Sequence, residues 1–239
     1  MNKLQQLLVM LILVTGIVLV SVLDASNGSI SAPEAGYAQT LDRMIRKDRA
    51  DLAKHPHSGA ALEALGLDLW LGESWQEALQ CLKQAQSGYA NADFARCTQR
   101  IGDCAIDAND FPQARLAYMQ LAENDLASEG SLSAKLARDY NNIGLCDFLM
   151  SQSKVPSKEC TDLLNRSLDY YRKAEKIFAA RPENAAQLAF NQQNQALALL
   201  ELGRKDEADR LTDMVQSRLK SLREPSRRSE SLEKPRCNG

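Results

Sequence analysis

Apolar and polar positions along the chain fall into two regimes. From Leu4 to Leu23 no residue carries a charge, and Leu7–Val20 is almost wholly aliphatic. Twenty residues of helix rise about 30 Å, the hydrocarbon thickness of a bilayer. This run is apolar on every side, so it offers no polar face to solvent if laid on a soluble core. Residues 1–24 are therefore expected to form a membrane anchor or signal segment. Cleavage after Ala25 is disfavoured because Leu23 is large where a small residue is needed, which favours a retained signal anchor. Lys3 precedes the run, and Asp24 and Glu34 follow it with no Lys or Arg before Arg43. Positive-inside bias then places the rest of the chain outside the cytoplasm as a single-pass membrane protein. If the leader is cleaved, the same domain is secreted or periplasmic.

Beyond the run the pattern changes. Residues 25–36 are small and polar, and read as a flexible linker. From 37 onward the apolar residues recur at helical spacing: a helix over 37–54 carries Leu41, Ile45 and Leu52 on one stripe and ends before Pro56. Helical periodicity continues over 37–222. Residues 223–239, polar with two prolines, read as a disordered tail.

Within 37–222 one pattern recurs: a large apolar residue, then Gly, then Ala twelve residues on, then a large residue four further. The copies are Leu65-Gly66 with Ala78 and Leu82, and Ile101-Gly102 with Ala114 and Tyr118. The third is Ile143-Gly144, whose closing half comes late as Ser167 and Tyr171. A weaker fourth has Ala196 and Ala208. The lateness of the third copy is assigned to an inserted surface loop over 151–162. Turn residues agree with this phase: Gly72-Glu73-Ser74 in the first copy, Asn109-Asp110 before Pro112 in the second, and Leu202-Gly203 in the fourth.

This pattern resembles the tetratricopeptide repeat, a helix-turn-helix unit of about 34 residues. The match covers roughly residues 59–216, with degenerate copies: the first-helix aromatic of the motif is absent, and Leu62, Thr98, Tyr140 and Gln192 stand in its place. The resemblance implies an all-α fold, a TPR-like α-solenoid of about four helix pairs, with the N-terminal transmembrane or signal-anchor helix ahead of it. One pair cannot bury its apolar faces alone, so neighbouring pairs must stack.

Composition narrows the alternatives. After residue 24 there are two valines, six isoleucines and four threonines, too few β-branched residues to build a sheet. Net charge is −2, without the basic excess that replaces counterions on nucleic acid. Seven basic residues against three acidic ones lie from Arg218 onward, so the rest of the chain is acidic.

Candidate chemistry is sparse. The sequence holds no Walker loop, no G-x-G-x-x-G and no G-x-S-x-G. His55 and His57 flank Pro56 in a turn without an evident third ligand, so no metal, cofactor or catalytic residue is assigned. Cys81 and Cys97 flank a bend near Tyr89 at equal distances, and Cys146 and Cys160 flank the expected loop. Either pair is a candidate disulfide in an oxidising compartment, with buried free thiols as the alternative.

The resemblance also implies a partner-binding groove lined by one stripe of each first helix. By phase, its candidate residues are Glu63 and Trp70, Arg96, Gln99 and Asp103, Arg138, Asn141 and Phe148, and Phe190 and Gln193. Trp70 is read either as a peptide anchor or as packing against helix 37–54. Arg96 and Arg138 share one repeat phase, so their guanidinium groups are read either as converging on an acidic segment or as pairing with nearby carboxylates such as Asp103 and Asp139 on a solvated face. The Lys/Asn/Arg clamp with which some members of the family hold C-terminal carboxylates is absent, because Glu63 or Gln99 stands where Lys is needed. The function expected is a membrane-anchored, non-enzymatic scaffold that binds a protein or peptide partner. A self-associating structural subunit is the alternative.

Overall fold

A computed structural model describes residues 32–153 and 157–223. Residues 1–24, where the anchor is expected, and 224–239 of the tail lie outside the described residues. Among the described residues no helix is long and apolar enough to cross a membrane.

Among the described residues nine α-helices follow one another: α1 (Ala32–Lys54), α2 (Gly59–Leu71), α3 (Trp75–Ser87), α4 (Asn91–Asp107), α5 (Phe111–Glu129), α6 (Ala134–Gln152), α7 (Lys158–Ala179), α8 (Ala185–Glu201) and α9 (Lys205–Arg223). A single 3₁₀ turn, Pro182–Asn184, precedes α8. Each helix packs on its neighbours in sequence. The four pairs are α2/α3, α4/α5, α6/α7 and α8/α9, and α1 lies ahead of them against α2. The helix begins at Ala32, inside the stretch expected as linker; Pro33 in a first turn loses no intrahelical bond.

Helix starts follow the side chains. Ser58 Oγ accepts from the Ala61 amide at 3.2 Å, and an Asp110 carboxylate oxygen accepts from Gln113 at 3.2 Å. Ser133 Oγ accepts from Lys135 at 3.1 Å, and Ser157 Oγ from Cys160 at 3.3 Å. Each satisfies one amide that the first helical turn leaves without a backbone partner.

Three pairs close through one turn, placed seven residues after the small residue of the repeat. Glu73, Asn109 and Gly203 have φ of 58°, 57° and 73°. The amide after each donates to a carbonyl five residues back: Ser74 to Leu69 at 2.9 Å, Asp110 to Ala105 at 2.8 Å and Arg204 to Leu199 at 2.9 Å. A left-handed residue reverses the chain here by closing the preceding helix on its own carbonyls.

The repeat glycines sit where two helices cross. A Cβ on Gly66 would lie 2.9 Å from Leu82 Cγ, and one on Gly102 2.8 Å from the Tyr118 ring. At Gly144 it would meet the Tyr171 ring at 2.8 Å and the Ser167 carbonyl at 3.0 Å. Each copy thus sets its glycine against the large residue of the second helix. Ala78, Ala114 and Ser167 are fully buried beside them, and Ser167 Oγ donates to the Gly144 carbonyl at 2.7 Å.

The third pair departs from the expected loop over 151–162. α6 runs on to Gln152 and α7 starts at Lys158, so most of the added sequence lengthens helices. They reach 19 and 22 residues, against 13 each in α2 and α3. The extra turns build a second core cluster of Phe148, Leu164, Leu168, Tyr171 and residues of α8 and α9.

Among the described residues the cysteines are unbridged. Cys81, Cys97, Cys104, Cys146 and Cys160 are free thiols, the first four buried. Cys97 Sγ donates to the Leu82 carbonyl at 3.2 Å, and Cys160 Sγ to Ser151 at 3.5 Å. Burial pushes the Cys97 thiol up to about 11 and Cys104 to about 12, so neither is a thiolate near neutral pH.

Candidate functional site

The first helices of all four pairs line one cavity of about 420 Å³. Helical spacing puts the lining side chains on shared faces. α4 contributes Gln99, Asp103, Ile106 and Asp107, and α6 contributes Arg138, Asn141, Asn142 and Leu145. α8 adds Gln187, Phe190 and Asn194, and α2 adds Trp70. Tyr118 of α5 and Phe178 of α7 reach in from the second helices.

Trp70 resolves to the groove. Its indole Nε1–H donates to Asp107 Oδ2 at 2.8 Å, joining the first pair to the second. One turn away, Asp103 Oδ1 accepts from Gln99 Nε2 at 2.9 Å and from the Tyr118 hydroxyl at 2.7 Å. Burial raises the Asp103 carboxyl above its ordinary value, while its bonds from Tyr118 and Gln99 oppose the rise. Burial, with the Asp103 charge beside it, also holds the Tyr118 phenol well above its ordinary range. Tyr118 is therefore a fixed proton donor. Neither Asp103 nor Asp107 forms an ion pair among the described residues.

At the other end the lining is held by amides. Asn141 Oδ1 accepts from Asn191 at 3.1 Å and from Asn194 at 3.3 Å, which ties α8 to α6. Behind them Gln192 and Gln195 donate to Glu175 of α7 at 2.8 and 2.9 Å. Buried amides so paired fix the rotation of α8, because leaving any one unpaired in the core costs about 1–3 kcal/mol. Arg138 is exposed and makes no hydrogen bond or ion pair among the described residues.

The structure therefore gathers Trp70, Gln99, Asp103, Arg138, Asn141 and Phe190 into one cavity. It places four other candidates elsewhere. Glu63 is buried and accepts from the Tyr89 hydroxyl at 2.9 Å, from Arg96 Nε at 3.1 Å and Nη2 at 2.8 Å, and from Arg100. The Arg96 bond, above all, holds the Glu63 carboxyl below the usual range. Arg96 is thereby engaged with Glu63 and Asp93, so it does not converge with Arg138 on an acidic segment. Phe148 is core, 6% exposed among Leu164, Leu168 and Tyr171. Gln193 is half-buried beside the lining rather than in it, because α8 turns Asn194 inward.

Sequence reasoning did not name Tyr118 and Phe178 as lining. Both carry the repeat's large second-helix positions, and nothing in their spacing separates a ring that ends in the core from one that reaches through it. Asn142, Gln187 and Asn194 were missed by one helical step each.

No family model matches this sequence, and no curated protein matches it. Solved structures do resemble it in fold. A crystal structure of MamA superposes with a TM-score of 0.57 at 16% identity, covering 85% of this chain and 93% of that one. MamA from Desulfovibrio magneticus RS-1, residue 41 to its end, gives 0.53 at 14% identity, covering 81% and 98%. The nearly identical TPR-like repeats of a Podospora anserina kinesin light chain give 0.56 at 16%, covering 80% and 90%. Identities this low carry the fold alone, and with the all-helical pairs, their shared turn and their glycine crossings, they show that the chain folds as a TPR-like helical repeat.

Proposed function

We propose that this protein is a non-enzymatic scaffold that binds a segment of a partner protein along the groove of α2, α4, α6 and α8. We also propose that residues 1–24 tether it to a membrane, with the repeats outside the cytoplasm. The observation that carries the binding role is the cavity itself: all four pairs contribute to it, and its lining combines aromatic rings, amides and charges without an ion pair among the described residues. Such a mixture suits a polypeptide, which presents apolar and polar side chains in alternation. The hydroxyl that meets a carboxylate in the lining, Tyr118 on Asp103, is buried and held protonated, so it is not the activated nucleophile that covalent catalysis needs. The uncharged run Leu4–Leu23 supports the tether, which would raise the local concentration of groove and partner at the membrane.

The test is site-specific photocrosslinking in native membranes. A photoreactive residue replaces Asn142 in the groove or Leu116 on α5, which is 55% exposed and outside the groove. The proposal expects a discrete protein adduct from position 142 and none from 116. Equal adducts at both positions, or an adduct at 116 alone, would move the interaction to another face. Alkaline extraction and the N-terminal mass of the same protein test the tether: a retained Met1 region in the membrane pellet supports it, and a soluble chain lacking residues 1–24 overturns it.

A further inference from the structure

Taking the groove as a segment-binding site, we infer that its α4 end receives an arginine side chain of the bound segment, between the carboxylates of Asp103 and Asp107 and the rings of Trp70 and Tyr118. The inference rests on the reading above and adds the chemistry of the partner.

Asp103 and Asp107 stand one turn apart on α4, the spacing at which like charges repel. Both line the same cavity. Among the described residues their side-chain donors are neutral: Trp70 for Asp107, and Tyr118 and Gln99 for Asp103. Two other inward carboxylates are answered with arginine: Glu63 meets Arg96 and Arg100, and Asp147 meets Arg115 and Arg166. The groove pair is not answered in this way, although hydrogen bonds hold both of its carboxylates. The hydrogen bonds pin the carboxylates without neutralising them, leaving up to two negative charges facing an open volume.

A cation completes this arrangement, and its shape discriminates between the two basic side chains. Guanidinium is planar, offers five N–H donors in a fixed fork and can bridge two carboxylates; its faces also stack on aromatic rings. Ammonium concentrates its charge at one point and is more strongly hydrated. Two carboxylates beside an indole and a phenol match the fork. The protein uses the same combination internally, where the Arg96 guanidinium sits 5.8 Å from the Tyr89 ring centre while bonding Glu63. An acidic segment, by contrast, would meet Arg138 alone and be repelled along α4.

The experiment selects a random dodecapeptide phage library on the full-length protein in lipid nanodiscs. Enriched peptides are synthesised, and their affinities measured by fluorescence anisotropy. The inference expects arginine to be enriched over its starting frequency. It also expects affinity to fall about tenfold, the loss of one charge-assisted bond, on Asp107→Asn or on arginine→citrulline in the peptide. The two changes together should cost little more than either alone, because they break one contact. Asp107→Asn is the informative variant, since Asp107 is only half-buried and its amide replacement can still accept from Trp70; circular dichroism checks its helicity. Peptides that crosslink at position 142 yet show no arginine enrichment, or bind Asp107→Asn unchanged, would overturn the arginine assignment and leave the groove reading standing. Peptides that crosslink at 116 instead, or a library that yields no binder, would overturn both.

Discussion

Replacing Asp139 with Asn should make the protein more stable at alkaline pH, against the usual expectation for removing a buried polar contact. Asp139 of α6 is 4% exposed and faces Asp125 of α5, itself 7% exposed. Burial, then the Asp125 charge and hydrogen bond, push the Asp139 carboxyl up to about 8, with Arg138 opposing and Glu129 adding slightly. Its Oδ2 meets no donor among the described residues, and a hydrogen bond between the two carboxyls requires one of them to carry a proton. An unfolded Asp titrates near 3.9. Between these two values the folded state holds a proton that the unfolded state has released, so stability falls as pH rises from about 4 to about 8. The interval of about four units gives a ceiling of about 5 kcal/mol at 1.36 kcal/mol per unit; water reaching the carboxylate lowers this to about 2–3 kcal/mol. Asn is nearly isosteric with the protonated acid and donates through its amide nitrogen. The assay is urea unfolding of full-length wild type and Asp139→Asn in detergent micelles at several pH values between 4.5 and 9. The two should agree within about 1 kcal/mol at pH 4.5, and the variant should lead by about 2–3 kcal/mol at pH 9. A difference that does not change with pH, or a wild type that gains on the variant as pH rises, would refute the shared-proton reading.

Gly144→Ala should lose about 1–2 kcal/mol in the same unfolding assay although alanine is the better helix former, because the new methyl meets a fully buried ring and a backbone carbonyl; an unchanged midpoint would mean that α6 and α7 do not cross there. Asp147→Ala should lose about 1–3 kcal/mol, since the 0%-exposed carboxylate accepts from Arg115 at 3.0 Å and Arg166 at 2.7 Å, and its removal leaves the largely covered Arg115 without that partner while the half-exposed Arg166 turns to water; retention of wild-type stability would show that both guanidinium groups are already solvated. Glu73→Gly should gain about 0.5–1 kcal/mol, read as a rise of about 1–4 °C in the melting midpoint, because Glu73 is exposed and holds φ of 58° where glycine is unstrained; a lowered midpoint would place the turn outside the left-handed region.

Much of the fold was legible because small residues at helix crossings leave an unmistakable trace. Gly66, Gly102 and Gly144 cannot be larger, and each fixes the phase of its own pair, including the turn seven residues later in the first two. The third pair misled because Ser, Lys and Pro are common in loops. Composition over 151–162 does not distinguish a loop from two lengthened helices, and Ser157 decides the matter only as a cap on a helix that already exists. That lengthening also moved Phe148. With α6 running to Gln152, the turn carrying Phe148 is covered by Leu164 and Leu168 of the longer α7, and a ring expected in the groove becomes core.

The groove was legible to the extent that a stripe reports direction, and it failed where direction does not report a partner. The faces of α4 and α6 came through in phase, so Gln99, Asp103, Arg138 and Asn141 meet in one cavity. Glu63 and Arg96 share that phase but find each other, and a carboxylate with two guanidiniums and a phenol is closed to outside ligands. Repeat phase therefore yields a set of inward charges, and only tertiary pairing separates those already answered from those left open. Asn191, Gln192, Asn194 and Gln195 show the same limit from the polar side. A run of amides reads as a solvated face, yet here four of them are buried because each meets a partner on α6, α7 or α8 itself. Phe190 keeps its expected place, and four residues on this pairing turns Asn194 inward in place of Gln193. Among the groove-lining residues the charges without an ion pair lie at the α4 end and at Arg138, opposite in sign, so the proposed segment would have a preferred direction along the groove.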